Sequence, residues 1–415
     1  MSSLYRIKLS PSISPEWMDN YEFLSPILSG LVNTTLLPET EILATYQQGT
    51  SIPLPLITRT HGEVECLFDV KETIRVIRNE EYHGSHLSVP ITGILPFDYT
   101  KLPVWFIGLM AKAMTTETKI ANLPDFPRYP IDLSSDIFSY IDGRSGKQAF
   151  KWPGSKKYAV AFTHDIDTPW AFNNDNWLKK FVGAEEKNNI TSSWYVVPLD
   201  IKSAKTKNWI GTLLNNGHEI GAHGYDHDPV LPNLPKGKLF AHLKSSHNII
   251  ETIAKSDEIG YRAPWLSRNN NLCEGLLNAG FLYDSSVPNC DFQRNNKNSN
   301  NGCCTVFPYM RCGIPVLPVT VPQDDIYGTL GISARVYWEW IFKLAEKIKK
   351  TGGVVVISTH LQPHHSANEP MFNGYKYLLE KLTADNDAWI TLPKNIIKHF
   401  KKYESTPRTK ALVEK

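Results

Sequence analysis

The sequence predicts an α/β protein, a β/α barrel built on a parallel sheet and preceded by a separate N-terminal α+β domain. Three observations carry that expectation. A chain of 415 residues, 41% of them apolar, exceeds what one hydrophobic core usually serves and can bury two. From Lys156 onward, short β-branched apolar runs alternate with longer amphipathic stretches, the order of parallel strands joined by crossover helices. This many strand–helix units in roughly 230 residues favours a closed or nearly closed barrel.

In chain order, residues 1–145 form the expected N-terminal domain of unknown role. They show short apolar segments broken by prolines, such as Ser51-Ile-Pro-Leu-Pro-Leu-Ile, and a helical pattern over 103–115. No chemistry-bearing motif stands out there. The polar, glycine-containing stretch Asp142-Gly-Arg-Ser-Gly-Lys reads as the linker into a second domain over 146–405. Strands are expected at Tyr158-Ala-Val-Ala-Phe, Ser193-Trp-Tyr-Val-Val, His218-Glu-Ile-Gly-Ala and Gly353-Val-Val-Val-Ile-Ser. Helical periodicity falls at 177–187, 209–215, 236–254, 272–279, 334–350 and 375–383. The segment 289–302, with six asparagines, reads as a surface loop, either over the mouth of the barrel or a functionless insertion.

Composition excludes several classes of partner. Lys plus Arg total 44 against 42 for Asp plus Glu, with no long run of either sign, so no nucleic-acid partner is expected. No window approaches 18 consecutive apolar residues, and Met1-Ser-Ser-Leu-Tyr-Arg-Ile-Lys lacks the pattern of a cleaved leader. These features predict no integral membrane segment and a cytoplasmic location. Of six cysteines, Cys290, Cys303, Cys304 and Cys312 show no C-x-x-C spacing, and free thiols are expected.

The chemistry-bearing residues sit where strands should end. Phe162-Thr-His-Asp-Ile-Asp places Asp165 and Asp167 one residue apart, so that one can face a metal and the other a water; a solvated loop or a helix N-cap pair is the plainer alternative. Gly217-His-Glu-Ile-Gly-Ala-His-Gly-Tyr-Asp-His carries His223 and His227 at H-x-x-x-H spacing, which lets two imidazoles converge on one ion and leaves positions for water once a carboxylate joins them. His218 precedes the strand and reads as structural. Gly260-Tyr-Arg-Ala-Pro-Trp, Phe281-Leu-Tyr-Asp-Ser-Ser and Ile357-Ser-Thr-His-Leu follow at further strand ends.

In this order the motifs resemble those of the polysaccharide deacetylases, carbohydrate esterase family 4, also called the NodB-homology domain, over roughly 230 residues. That resemblance implies a distorted (β/α) barrel and a hydrolase of non-peptide carbon–nitrogen bonds that removes acetyl groups from a sugar with a divalent metal. Zinc is the expected ion, with cobalt or nickel as alternatives. The resemblance further implies an Asp-His-His metal site of Asp167, His223 and His227. It gives Asp165 as general base held by Arg262, His360 as general acid with Asp284 as its orienting partner, and Trp265 as backbone oxyanion donor and lining of the sugar groove. The expected partner is an N-acylated carbohydrate in a polysaccharide, glycolipid or nucleotide-linked precursor. A deformylase or other N-acyl amidohydrolase, and a non-catalytic glycan-binding homologue, are the alternatives.

Three positions depart from the family pattern. Thr-His-Asp-Ile-Asp stands where the family has Thr-Phe-Asp-Asp-Gly, which also leaves open the reverse assignment of Asp165 and Asp167. The tryptophan expected beyond Ser286 is missing, and Ser358 replaces a leucine two residues before His360; both changes are expected to affect the acyl pocket. Asp324 and Asp325, after another strand-like run, fit a turn or contacts to substrate hydroxyls. His364 and His365 fit a solvated loop, with a position at the mouth of the barrel as the alternative.

Overall fold

The computed structural model describes residues 5–9, 38–48, 54–60, 63–66, 151–289, 303, 305–327 and 332–404. The expected helix over 103–115, the linker at 142–147, most of the asparagine-rich segment, and Cys290 and Cys304 lie outside the described residues. In the N-terminal part, β1 (Tyr5–Leu9), β2 (Glu41–Gln48), β3 (Leu54–Thr60) and β4 (Glu63–Cys66) form an antiparallel sheet in sequence order.

The second part is built around β5 (Tyr158–Ile166), every residue of which is buried. Burial on both faces explains why this strand reads as a continuous apolar run before its polar end. It pairs in parallel with β6 (Ser193–Val196), which leads on to β7 (Glu219–His223), β8 (Gly260–Arg262) and β9 (Tyr283–Asp284). Beyond β9 come β11 (Ile314–Val316), parallel to it, and β10 (Tyr309–Arg311), antiparallel to β11. On the other side of β5 lies β12 (Val354–His360), and β13 (Ala388–Ile390) pairs with the first residues of β5.

The expectation of a closed or nearly closed barrel is met only in part. The sheet is a curled half-barrel whose path runs from β10 to β12 without joining them. Single hydrogen bonds from β12 amides to the chain after 304 bridge the opening. The Val354 amide donates to the Val306 carbonyl at 2.7 Å, and the Val356 amide donates to Thr320 Oγ1 at 2.8 Å. A short β9 and the antiparallel β10–β11 hairpin take the place of a full strand–helix unit, so no ladder closes.

Helices pack on the outside: α1 (Trp170–Asn173), α2 (Asn176–Lys187), α3 (Ala204–Asn215), α4 (Lys236–Ala254), α5 (Asn270–Ala279), α6 (Ala334–Thr351), α7 (Glu369–Thr383) and α8 (Pro393–Glu404). Two, α3 and α7, begin a full turn or more earlier than apolar periodicity predicts, because a capping side chain starts them. Ser203 accepts from the Thr206 amide ahead of α3, and Asn368 from the Met371 amide ahead of α7. Not expected from the sequence, α8 buries Ile396, Ile397 and Phe400. No described helix is long and apolar enough to cross a membrane. Cys273 and Cys303 are buried free thiols, and Cys312 is an exposed one.

Candidate active site

The alternation of a strand explains why Asp165 and Asp167 are separated by one residue. Side chains two apart point to the same face, so Thr163, Asp165 and Asp167 share the face of β5 that looks into the half-barrel. His164 takes the opposite face, where Nε2 meets Glu185 Oε1 at 2.7 Å and Nδ1 meets Thr359 Oγ1 at 2.7 Å.

Asp167 lies one residue past β5 and His223 ends β7. His227 follows after a tight turn rather than a helical one. His223 Nε2 and His227 Nε2 stand 3.2 and 3.3 Å from Asp167 Oδ1. The three donor atoms all lie within 4.8 Å of one another, the one such group among the described residues. Their chemistry fits a divalent cation. His223 Nδ1 is 3.0 Å from the Arg262 carbonyl, which can only accept, so Nδ1 carries the proton and Nε2 presents a lone pair. Two imidazoles and one carboxylate leave coordination positions free for water and substrate. Gln362 Nε2 holds the other oxygen of Asp167 at 3.0 Å. His227 has φ of 62°, and Gly224 has φ of 72° with Pro264 Cγ 2.7 Å from where its Cβ would stand. The turn carrying the second histidine is therefore pressed against the loop after β8, and a non-glycine residue is held there in a costly conformation.

Asp165 is almost fully buried. Its Oδ1 accepts from Arg262 Nη1 at 2.8 Å, and its Oδ2 accepts from Gln323 Nε2 at 3.2 Å and Ser358 Oγ at 3.3 Å. Arg262 is buried, stacks on the Tyr195 ring at 4.3 Å, and spends Nε and Nη2 on the carbonyl and hydroxyl of Ser285. Burial pushes the Asp165 carboxyl up, but the Arg262 charge, with His223 and His360, outweighs this and keeps it below its usual value. Asp167 is likewise lifted by burial yet held well below its usual range by His360 and the two other histidines.

His360 ends β12 with Nε2 3.7 Å from Asp165 Oδ2. Its partner corrects the expectation from sequence. Asp324, not Asp284, meets His360 Nδ1, at 2.5 Å, and also accepts from the His360 amide at 2.8 Å and from Ser366 Oγ. Asp284 turns back on its own chain, accepting from the amide and hydroxyl of Ser286. The cause is strand order. Four strands separate β9 from β12 along the sheet, whereas the segment ending at Asp324 crosses the opening directly to β12. Burial disfavours charge on His360, but the carboxylates of Asp324, Asp167 and Asp165 override it and raise its pKa well above the usual range.

Trp265 is half-buried in the turn Pro264–Leu266 after β8, with φ of 57°. Ser358, read as pocket lining, instead touches the Asp165 carboxylate. His364 and His365 are half-buried rather than fully solvated, and the His365 ring packs 5.2 Å from that of His360. From the sequence, Asp324 fitted a turn or a contact to substrate hydroxyls rather than a partner of His360, and neither Gln323 nor Gln362 had an expected role. The one signal available for Asp324 was its place after a strand-like run on the catalytic side. His218, read as structural, accepts from the Ser192 amide at the opposite end of β7.

Residues 154–283 match the polysaccharide deacetylase family model. A peptidoglycan deacetylase of Helicobacter pylori is 32% identical over 141 residues, 34% of this chain and 46% of that protein. The matched stretch thus spans about half the length of that curated relative. A Mycobacterium smegmatis protein assigned to the polysaccharide deacetylases superposes with TM-score 0.49 at 23% identity, covering 62% of this chain and 94% of its own. A Pseudomonas aeruginosa PAO1 protein so assigned gives TM-score 0.50 at 13% identity, covering 60% and 93%, and shares the fold. From residue 154 onward the chain carries a polysaccharide deacetylase domain of carbohydrate esterase family 4.

Proposed function

We propose that this domain hydrolyses the N-acetyl group of a sugar in a polysaccharide, glycolipid or nucleotide-linked precursor. One observation carries the reading. The Asp167, His223 and His227 donors, the Asp165 carboxylate and the His360–Asp324 pair line one face at the C-terminal ends of β5, β7 and β12. The name of the Helicobacter pylori relative supports an acetylated glycan as substrate class.

Asp167, His223 and His227 would hold a divalent cation, which would supply Lewis acidity. Asp165, kept ionised by Arg262, takes a proton from the water that attacks the acyl carbon. The backbone amide of Trp265 supplies a donor for the developing oxyanion. His360, charged through Asp324, gives a proton to the departing amine nitrogen, without which the C–N bond does not break readily.

Acetate and formate release from matched N-acyl sugar amides tests the proposal. Protein loaded with zinc, cobalt or nickel should release acetate and stop after chelation. Formate release alone would make it a deformylase. Release of neither acid, with no bound ion, would overturn the enzyme reading in favour of a glycan-binding module.

A further inference from the structure

We infer that Gln323 is a positioning residue that fixes the proton-accepting oxygen of Asp165; the inference rests on the reading of Asp165 as general base. Arg262 touches that carboxylate through a single nitrogen, Nη1 on Oδ1 at 2.8 Å, because Nη1 is shared with the Thr163 and Ser358 hydroxyls while Nε and Nη2 are committed to Ser285. One such contact keeps the carboxylate charged but leaves rotation about the Cβ–Cγ bond unopposed, unlike a two-nitrogen clamp. The second oxygen is fixed from the other side. Gln323 Nε2 donates to Oδ2 at 3.2 Å and to Ser358 Oγ at 2.9 Å, and Ser358 Oγ lies 3.3 Å from the same oxygen. The amide nitrogen must face this site, since its oxygen would set one acceptor against another. Oδ2 is also the oxygen facing His360 Nε2 at 3.7 Å, so the atom Gln323 holds is the one turned toward the acid.

Gln323 and Asp324 are consecutive, so one dipeptide places the base with its first residue and the acid with its second. The chain leading into it is anchored at three points. The Val319 carbonyl accepts from the Asn289 amide at 2.8 Å. Thr320 Oγ1 accepts from the Val356 amide at 2.8 Å. The Tyr337 hydroxyl of α6 donates to the Pro322 carbonyl at 2.9 Å. A side chain on such a support, buried with its amide on the carboxylate, is suited to setting geometry rather than adapting to ligand.

The test uses the zinc-loaded full chain and 4-nitrophenyl acetate, whose good leaving group needs no proton from His360 and so isolates the base. Q323A should lower kcat roughly 10- to 100-fold, with KM and zinc content within about twofold of wild type. Q323E keeps the shape but sets a carboxylate against Oδ2, and should lower kcat further than Q323A. A packing role predicts the opposite order, with the isosteric Glu better tolerated than Ala, and that order would overturn the inference. So would a raised KM at unchanged kcat, the mark of a substrate contact. Wild-type kcat in Q323A, with D165N inactive, refutes the inference alone. A wild type no faster than D165N refutes the general-base reading itself, and the inference with it.

Discussion

At the residue scale, the site depends on which carboxylate meets which partner. The alternation of β5 made two inward carboxylates legible from Asp-Ile-Asp, and H-x-x-x-H made two histidines legible, because both are local spacings. The partner of His360 was not legible. Tyr283-Asp284-Ser and Gln323-Asp324 both follow strand-like runs, and only the path of the sheet decides which one reaches β12. Asp324→Asn should therefore reduce turnover of the amide substrate by roughly 10²- to 10⁴-fold, with metal content unchanged. Asp284→Asn should leave the kcat of folded protein near that of wild type. Acetate release with metal analysis on both variants checks the pairing; a silent Asp324→Asn would contradict it. Ser358 and Gln323 escaped the reading for a related reason: a serine in place of leucine looks like a change of pocket lining until the guanidinium and amide around it are seen.

At the element scale, the turn after β7 is the most constrained piece of the site. Gly224→Ala must adopt positive φ while its Cβ meets Pro264 Cγ and Cδ at 2.7 and 2.8 Å. A loss of about 1–3 kcal/mol in stability is expected, together with weaker metal binding as His227 shifts; melting and metal titration of the variant measure both. At the other end of β7, burial raises the Glu219 carboxyl to about 7, despite hydrogen bonds from the Tyr283 hydroxyl and the Lys394 amide. An acid whose folded pKa exceeds its unfolded value binds more protons when folded. Stability from this group therefore falls as pH rises from the unfolded value of 4.5 toward 7. Glu219→Gln should match wild type near about pH 5 and exceed it by roughly 2–4 kcal/mol near about pH 8, as read by denaturant melts; a constant difference across that range would contradict the assignment. Helix bodies were legible from apolar periodicity, whereas the starts of α3 and α7 were set by single caps. The last helix follows β13, a three-residue strand too short to give an apolar run in the sequence.

At the scale of the whole molecule, the succession of strands and helices made an α/β sheet with chemistry at its strand ends legible. The opening in the sheet was not, since closure depends on a hairpin and a two-residue strand with no periodic signature. A cation held by Asp167, His223 and His227 would join β5 to the turn after β7, so binding should stabilise the fold by mass action. At about 100-fold excess over Kd the gain is about 2.7 kcal/mol, and chelation should lower the Tm by roughly 5–10 °C; an unchanged Tm would show that no ion bridges these elements. The most direct test of the site is metal stoichiometry measured with acetate release on Asp165→Asn. The variant should retain the roughly one divalent ion per chain expected of wild type while losing turnover by orders of magnitude. An Asp165→Asn protein that loses its ion, beside an Asp167→Asn protein that keeps it, would reverse the two carboxylates and contradict the account.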